Sequence, residues 1–243
     1  MNATRLSRLR NALRARDWLG IGIELIVVTL GVLLAFQIDQ WGDRRQQARE
    51  ERQFLERLYV ENRASGEELK GVIGVHDTVI REVGAAIRAR SQPSVLASFS
   101  GQEDYGCGIS SLPPAPYNDT ASGELVASGR LNLITDPDLR SIIRQLTASQ
   151  AEGAAQIDNG RQQLLYTLPA IEPYYSLVVD DRNLPICFIQ WTGVARDRVA
   201  LNAATRLLRR HVFTSRARHK TLALTEQLDR RLACKLDKPE CGR

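Results

Sequence analysis

A chain of 243 residues with 43% hydrophobic and 25% charged side chains can bury a sizeable core in one or two domains. Its net charge of +5 is unevenly spread: residues 1–17 carry five arginines and one aspartate, and residues 196–231 carry ten Arg or Lys against three acids. Lys70, Lys220, Lys235 and Lys238 are the only lysines, and with no recognition motif around the arginines their excess reads as genome base composition rather than phosphate binding. Nucleic acid is therefore not an expected partner.

The basic tail, 1–17, leads into an apolar run. Trp18 to Phe36 is nineteen residues with only Glu24 charged, and at about 1.5 Å per residue it spans roughly 28 Å, close to the hydrocarbon thickness of a bilayer. Trp18 and Trp41 bracket it at headgroup level. A transmembrane helix is expected over 18–38. A cleaved signal peptide fits less well, because Leu33 and Ala35 form no small-x-small cleavage site. Arginine counts do not decide orientation, since residues 37–52 hold Arg44, Arg45, Arg49 and Arg52. The cysteines do more. Cys107, Cys187, Cys234 and Cys241 all follow the helix, without CxxC spacing, which suits an oxidising compartment. The expectation is a single-pass bacterial inner-membrane protein with a cytoplasmic N-terminus and residues 42–243 in the periplasm.

Glu24 lies about 9 Å below Trp18 along the helix axis, near enough for its carboxyl to reach back toward the headgroups. It shares a helical stripe with Val28, Gly31 and Ala35, and Gly31 with Ala35 forms a small-xxx-small pair that permits close helix approach. Two readings stay open: snorkelling alone, or a polar contact between spans. A proton or ion pathway would need oligomerisation. Besides the lipid bilayer, the expected partner is a second copy or another membrane protein.

Residues 39–90 continue at helical spacing as a stalk and first bundle helix. Trp41, Ala48, Leu55, Asn62, Leu69, His76 and Val83 fall seven apart, with Leu58, Val72, Val79 and Ala86 beside them. Gly66, Gly71 and Gly74 suggest a bend. Residues 91–118, rich in Ser, Gly and Pro, read as a long loop held by Cys107 or a hairpin insertion. Residues 119–243 should complete the bundle. Within them, Asn118–Thr120 caps a short helix over 120–128, and Thr135 with Asp138 opens a helix from about 136 to 168. Residues 174–195 read as irregular packing or a small hairpin turning at 180–185. A final helical region runs from 196 to about 236, with "RARHK" at 216–220 as a turn between two helices. The fold class is all-α. Among the three possible cysteine pairings, Cys234–Cys241 is favoured as a local closure, leaving Cys107–Cys187 as a long-range staple.

Two stretches resemble a family of uncharacterised bacterial single-pass membrane proteins. In that family a Glu-bearing apolar helix ends in Gln-Ile-Asp/Asn-x-Trp, and a later Ser-Gly-x-x-x-Leu-Ile element leads into a helix. Gln37, Ile38, Asp39 and Trp41 fit the first motif, and Ser128, Gly129, Leu133 and Ile134 the second, while Gly42 stands where the family usually has a polar residue. The resemblance implies a topology and no activity.

No catalytic, cofactor-binding or metal-ligating motif appears: there is no phosphate loop, GxSxG, HExxH or Rossmann glycine pattern. His76 reads as a hydrogen-bonded structural histidine on the helix seam. His211 and His219 read as solvated surface, and Asp180–Asp181 as turn residues. The basic stretch 196–231 reads as the solvated face of a bundle, ahead of a surface that meets anionic headgroups or an acidic partner. The leading expectation is an interaction protein, a scaffold or accessory subunit of an envelope complex. The alternatives are a ligand-binding or sensory module with a pocket near Trp191 and Tyr174–Tyr175, and, last, an enzyme with an unrecognised site.

Overall fold

The computed structural model describes residues 3–114, 121–179 and 181–241, with side chains from Gly22 onward. In chain order it contains α1 (Ala3–Arg88), α2 (Pro93–Ser100), α3 (Ala121–Ala127), α4 (Pro137–Thr167), strands β1 (Tyr175–Val179) and β2 (Pro185–Ile189), α5 (Trp191–Arg196) and α6 (Arg198–Lys235). The fold is all-α apart from one antiparallel hairpin, in which Tyr175 pairs with Ile189 and Val179 with Pro185. The chain divides into two compact units, Met1–Arg52 and Gln53–Arg243.

The first unit is the N-terminal part of α1. From Ile23 to Glu50 every side chain is exposed, including Leu25, Val28, Leu33 and Phe36. This helix is long and apolar enough to cross a membrane. Near its end the Arg45 guanidinium lies over the Trp41 ring, 4.9 Å from the centroid.

In the second unit α1 packs with α4 and α6. Two apolar clusters form its core. One joins Leu55 and Leu58 of α1, Ile142 and Leu146 of α4, and Leu228 and Leu232 of α6. The other joins Val79 and Val83 of α1, Leu164 of α4, and Ala200, Ala204 and Leu207 of α6, with Ile189 and Trp191. The order along α6 is the reverse of that along α1 and α4, so α6 runs antiparallel to both. The seven-residue row read from the sequence is the buried one here: Leu55, Asn62, Leu69, His76 and Val83 are all buried.

Both cysteine pairs form as expected, Cys107–Cys187 across a sequence separation of 80 and Cys234–Cys241 across 7. The small-hairpin reading of 174–195 holds as well. Four expectations change or gain detail. The segment 91–118 is not simply a loop, because Pro93 starts an eight-residue helix and Cys107–Ser110 makes a 3₁₀ turn. The cap of α4 is Asp136 rather than Thr135: its carboxylate accepts from the amides of Asp138 and Leu139. The helix α1 runs unbroken through the three glycines, and Gly66 has a packing role beyond the expected bend: it lets α6 approach, since an added Cβ would stand 3.2 Å from Thr225 Cγ2. Finally, α6 is unbroken through 216–220. The proposed cap at Asn118–Thr120 and the turn residue Asp180 lie outside the described residues.

The second family-like motif has a physical basis. Gly129 ends α3 at φ +69°, a conformation that suits glycine, and Ile134 is fully buried in the first cluster. An equally demanding glycine is Gly106, at φ +76°, where an added Cβ would stand 2.6 Å from Cζ2 of the buried Trp191. Gly106→Ala combines a left-handed alanine with overpacking, and is expected to cost about 2 kcal/mol or more. Urea unfolding of the detergent-solubilised chain measures this; an unchanged midpoint would mean that Trp191 does not press on this turn.

Candidate functional site

Between the two apolar clusters the bundle has a polar waist, built where α6 presents its buried stripe through residues 211–225. His211, Thr214, Ser215, Arg218, Thr221 and Thr225 are all buried. They continue the 3–4 spacing of Ala200, Ala204 and Leu207 on one side and lead to Leu228 and Leu232 on the other. These six are the residues that reading the sequence missed. Their spacing is visible in the sequence, but their polarity disguises it, and "RARHK" reads as a turn. Facing them are Asn62 and His76 of α1 and Ser149 of α4.

The waist is held by directed hydrogen bonds. Asn62 Nδ2 donates to the Thr225 carbonyl and to Asp229 Oδ1, both at 2.8 Å. Ser149 and Thr221 share a hydroxyl contact of 2.8 Å. Ser215 Oγ donates to Asp77 Oδ1 at 2.9 Å. Arg218, 1% exposed, donates from Nη2 to the Pro113 carbonyl at 2.6 Å. At the centre, His76 and His211 meet Nδ1 to Nδ1 at 2.8 Å, and His211 Nε2 lies 3.2 Å from the Ile109 carbonyl.

That chain fixes the proton positions. The Ile109 carbonyl only accepts, so His211 is protonated at Nε2, its Nδ1 accepts, and His76 donates from Nδ1. His76 Nε2 is then a buried lone pair with no partner among the described residues. Burial is the main cause that pushes His76 down to about 3, reinforced by the positive charge of Arg218 and, once it is protonated in acid, by that of His211. Burial also lowers His211, against the Ile109 carbonyl, which favours its protonated form. Both rings are therefore neutral near pH 7, and a base as weak and as enclosed as His76 is unsuited to proton transfer with a substrate. The hydrogen-bonded reading of His76 stands. His211 is corrected, being core rather than surface, and of the basic stretch Arg218 is inside the bundle.

The other sequence-selected residues are more scattered. Glu24, Val28, Gly31 and Ala35 are exposed on α1; among the described residues a Cβ on Gly31 would meet nothing within 4 Å. Gln37, Ile38, Asp39 and Trp41 are likewise exposed. The pocket expected at Trp191 is filled: Trp191 is 2% exposed, and Tyr174 covers Gly193 so closely that an added Cβ would stand 2.5 Å from its ring. Of the residues expected there Tyr175 does line an opening, an apolar groove of about 440 Å³ between the end of α4 and the hairpin, with Leu165, Leu168, Ile171 and Leu177. A second groove, of about 530 Å³, lies between α4 and α6 and is lined by Gln163, Tyr166, Arg206, Arg209, Arg210 and Phe213. Among the described residues no group of three or more His, Cys, Asp and Glu side chains is placed to hold a metal ion.

Compared with known proteins, the chain matches no family model, no curated protein and no solved structure.

Proposed function

We propose that this is a single-span bacterial inner-membrane protein, N-terminus in the cytoplasm, whose disulfide-bearing bundle serves in the periplasm as a scaffold or accessory subunit of an envelope complex. The observation that supports it best lies in α1. One helix carries a wholly exposed apolar stretch from Ile23 to Phe36 and, later, the buried row from Leu55 to Val83. So much contiguous apolar surface is unfavourable in water, and lipid covers it without further contacts. The two disulfides support an oxidising compartment. The likeness of residues 22–45 and 128–140 to the uncharacterised single-pass family belongs to the same proposal.

The apolar groove at the hairpin gives the partner its footing, an apolar segment of a neighbouring envelope protein, because the exposed Leu165 and Leu177 line it together. A photo-crosslinking residue at Leu177 in intact cells is expected to yield a discrete higher-mass adduct, while one at exposed Lys235 yields none. A chain that stays monomeric, with no adduct from Leu177, opposes the scaffold reading. A C-terminal reporter active only in the cytosol opposes the topology.

A further inference from the structure

The arginine stripe of α6 does not simply face solvent. Arg206, Arg209 and Arg210 line one wall of the groove between α4 and α6, whose volume of about 530 Å³ is of small-molecule size. Among the described residues no carboxylate pairs with any of the three, whereas other arginines, such as Arg57, Arg63 and Arg231, each have one. Their positions are nonetheless built. Arg210 lies across Gly160, where an added Cβ would stand 3.2 Å from its Nε, and its Nη2 donates to Gln163 Oε1 at 2.8 Å. The Arg209 guanidinium stacks over Phe213, 5.3 Å from the ring centroid. Tyr166, 87% exposed, adds a second ring to the same groove.

Three planar forks of donors with no carboxylate partner among the described residues, one of them steadied by Gln163, beside two exposed aromatic rings, select a multiply charged oxyanion attached to an apolar or aromatic group. A single carboxylate would satisfy one fork and leave two. We propose that this groove binds a phosphomonoester, with Arg206, Arg209 and Arg210 on the phosphate and Tyr166 and Phe213 against the organic part. The sequence alone points away from phosphate because no recognition motif surrounds these arginines; packing α4 on α6 turns them into one wall of a groove. The proposal is independent of the anchor and scaffold readings. Two sources share the chemistry, a soluble phosphate ester and the headgroup of phosphatidic acid.

Calorimetric titration of the full chain in a neutral detergent tests it, with phenyl phosphate, benzoate and dihexanoyl phosphatidic acid as probes. Phenyl phosphate is expected to bind more tightly than benzoate, and the exposed-site double variant R206Q/R209Q to weaken it by about tenfold or more with an unchanged unfolding midpoint. Y166A is expected to weaken phenyl phosphate while leaving inorganic phosphate unaffected. Tighter binding of the phosphatidic acid, lost in R206Q/R209Q, assigns the lipid source; tighter binding of phenyl phosphate assigns the soluble one. Benzoate binding as well as phenyl phosphate, affinity unchanged in R206Q/R209Q, or no heat from either phosphate probe each overturns the proposal.

Discussion

Lowering the pH from 7 to 4 is expected to destabilise the bundle by about 3 kcal/mol through His76 alone. The folded ring is held at about 3, against 6.5 for an unburied histidine, so the unfolded chain binds a proton that the folded one refuses. For a group lowered on folding, stability is fully present above 6.5 and drains away as the pH falls toward 3. The slope is about 1.4 kcal/mol per pH unit in that window. His211 is lowered in the same direction and adds to the loss. Carboxylates lowered by folding, such as Glu61, which bonds Arg57 and the Ala121 amide, release their share near and below pH 4. His76→Asn separates the contributions. The asparagine amide can stand in for the Nδ1–H donor toward His211 but does not titrate. Unfolding free energies of wild type and H76N, measured between pH 7 and 4, should diverge by about 3 kcal/mol as acid is added. Parallel profiles would show that His76 is not kept neutral by the fold.

The same waist explains what could be read in advance and what could not. On α1 the buried row is mostly apolar, and it includes Asn62 and His76 at positions where a seven-residue step places them inside. A reader who follows spacing finds them. On α6 the buried stripe passes through His211, Thr214, Arg218 and Thr225, so a hydrophobic period fades while the helical one continues. Thr221 and Thr225 also bond carbonyls of their own helix, but His211, Arg218 and Thr221 find partners in Ile109, Pro113 and Ser149, which come from other elements far away in sequence. That information is tertiary. Sequence spacing therefore puts His76 on a seam and His211 on the surface, although each is the other's hydrogen-bond partner.

The opposite held for local signals. The opening and end of α4 and the turn before Pro185 are legible close to where they are observed, since each acts through its own backbone, whereas the short helix that Pro93 opens is not. The arginine groove was out of reach for the same reason as the waist. Arg206, Arg209 and Arg210 are three basic residues among many until Gly160 and Gln163 of α4 are laid against them.

Replacing both Cys107 and Cys187 by serine is expected to cost about 4–5 kcal/mol, and replacing both Cys234 and Cys241 about 2–3 kcal/mol, by the chain-entropy model. The difference follows from loop length: separations of 80 and 7 residues remove very different amounts of freedom from the unfolded chain. Context widens it. Cys187 is buried in the cluster with Val79, Ile189 and Trp191, and its amide donates to Asp104 Oδ1 at 3.0 Å, so a serine there also places a hydroxyl in an apolar site. Cys234 and Cys241 are exposed at the chain's end, where the loop closes on its own helix. Mild reductant should therefore open Cys234–Cys241 first, with little change in the unfolding midpoint, and a steep loss of stability should accompany the second bond. Urea unfolding with thiol counting at each step measures both. Equal losses from the two serine pairs would show that loop length does not govern their contributions, and a stable protein without Cys107–Cys187 would show that the 91–110 segment is held on the bundle by packing alone.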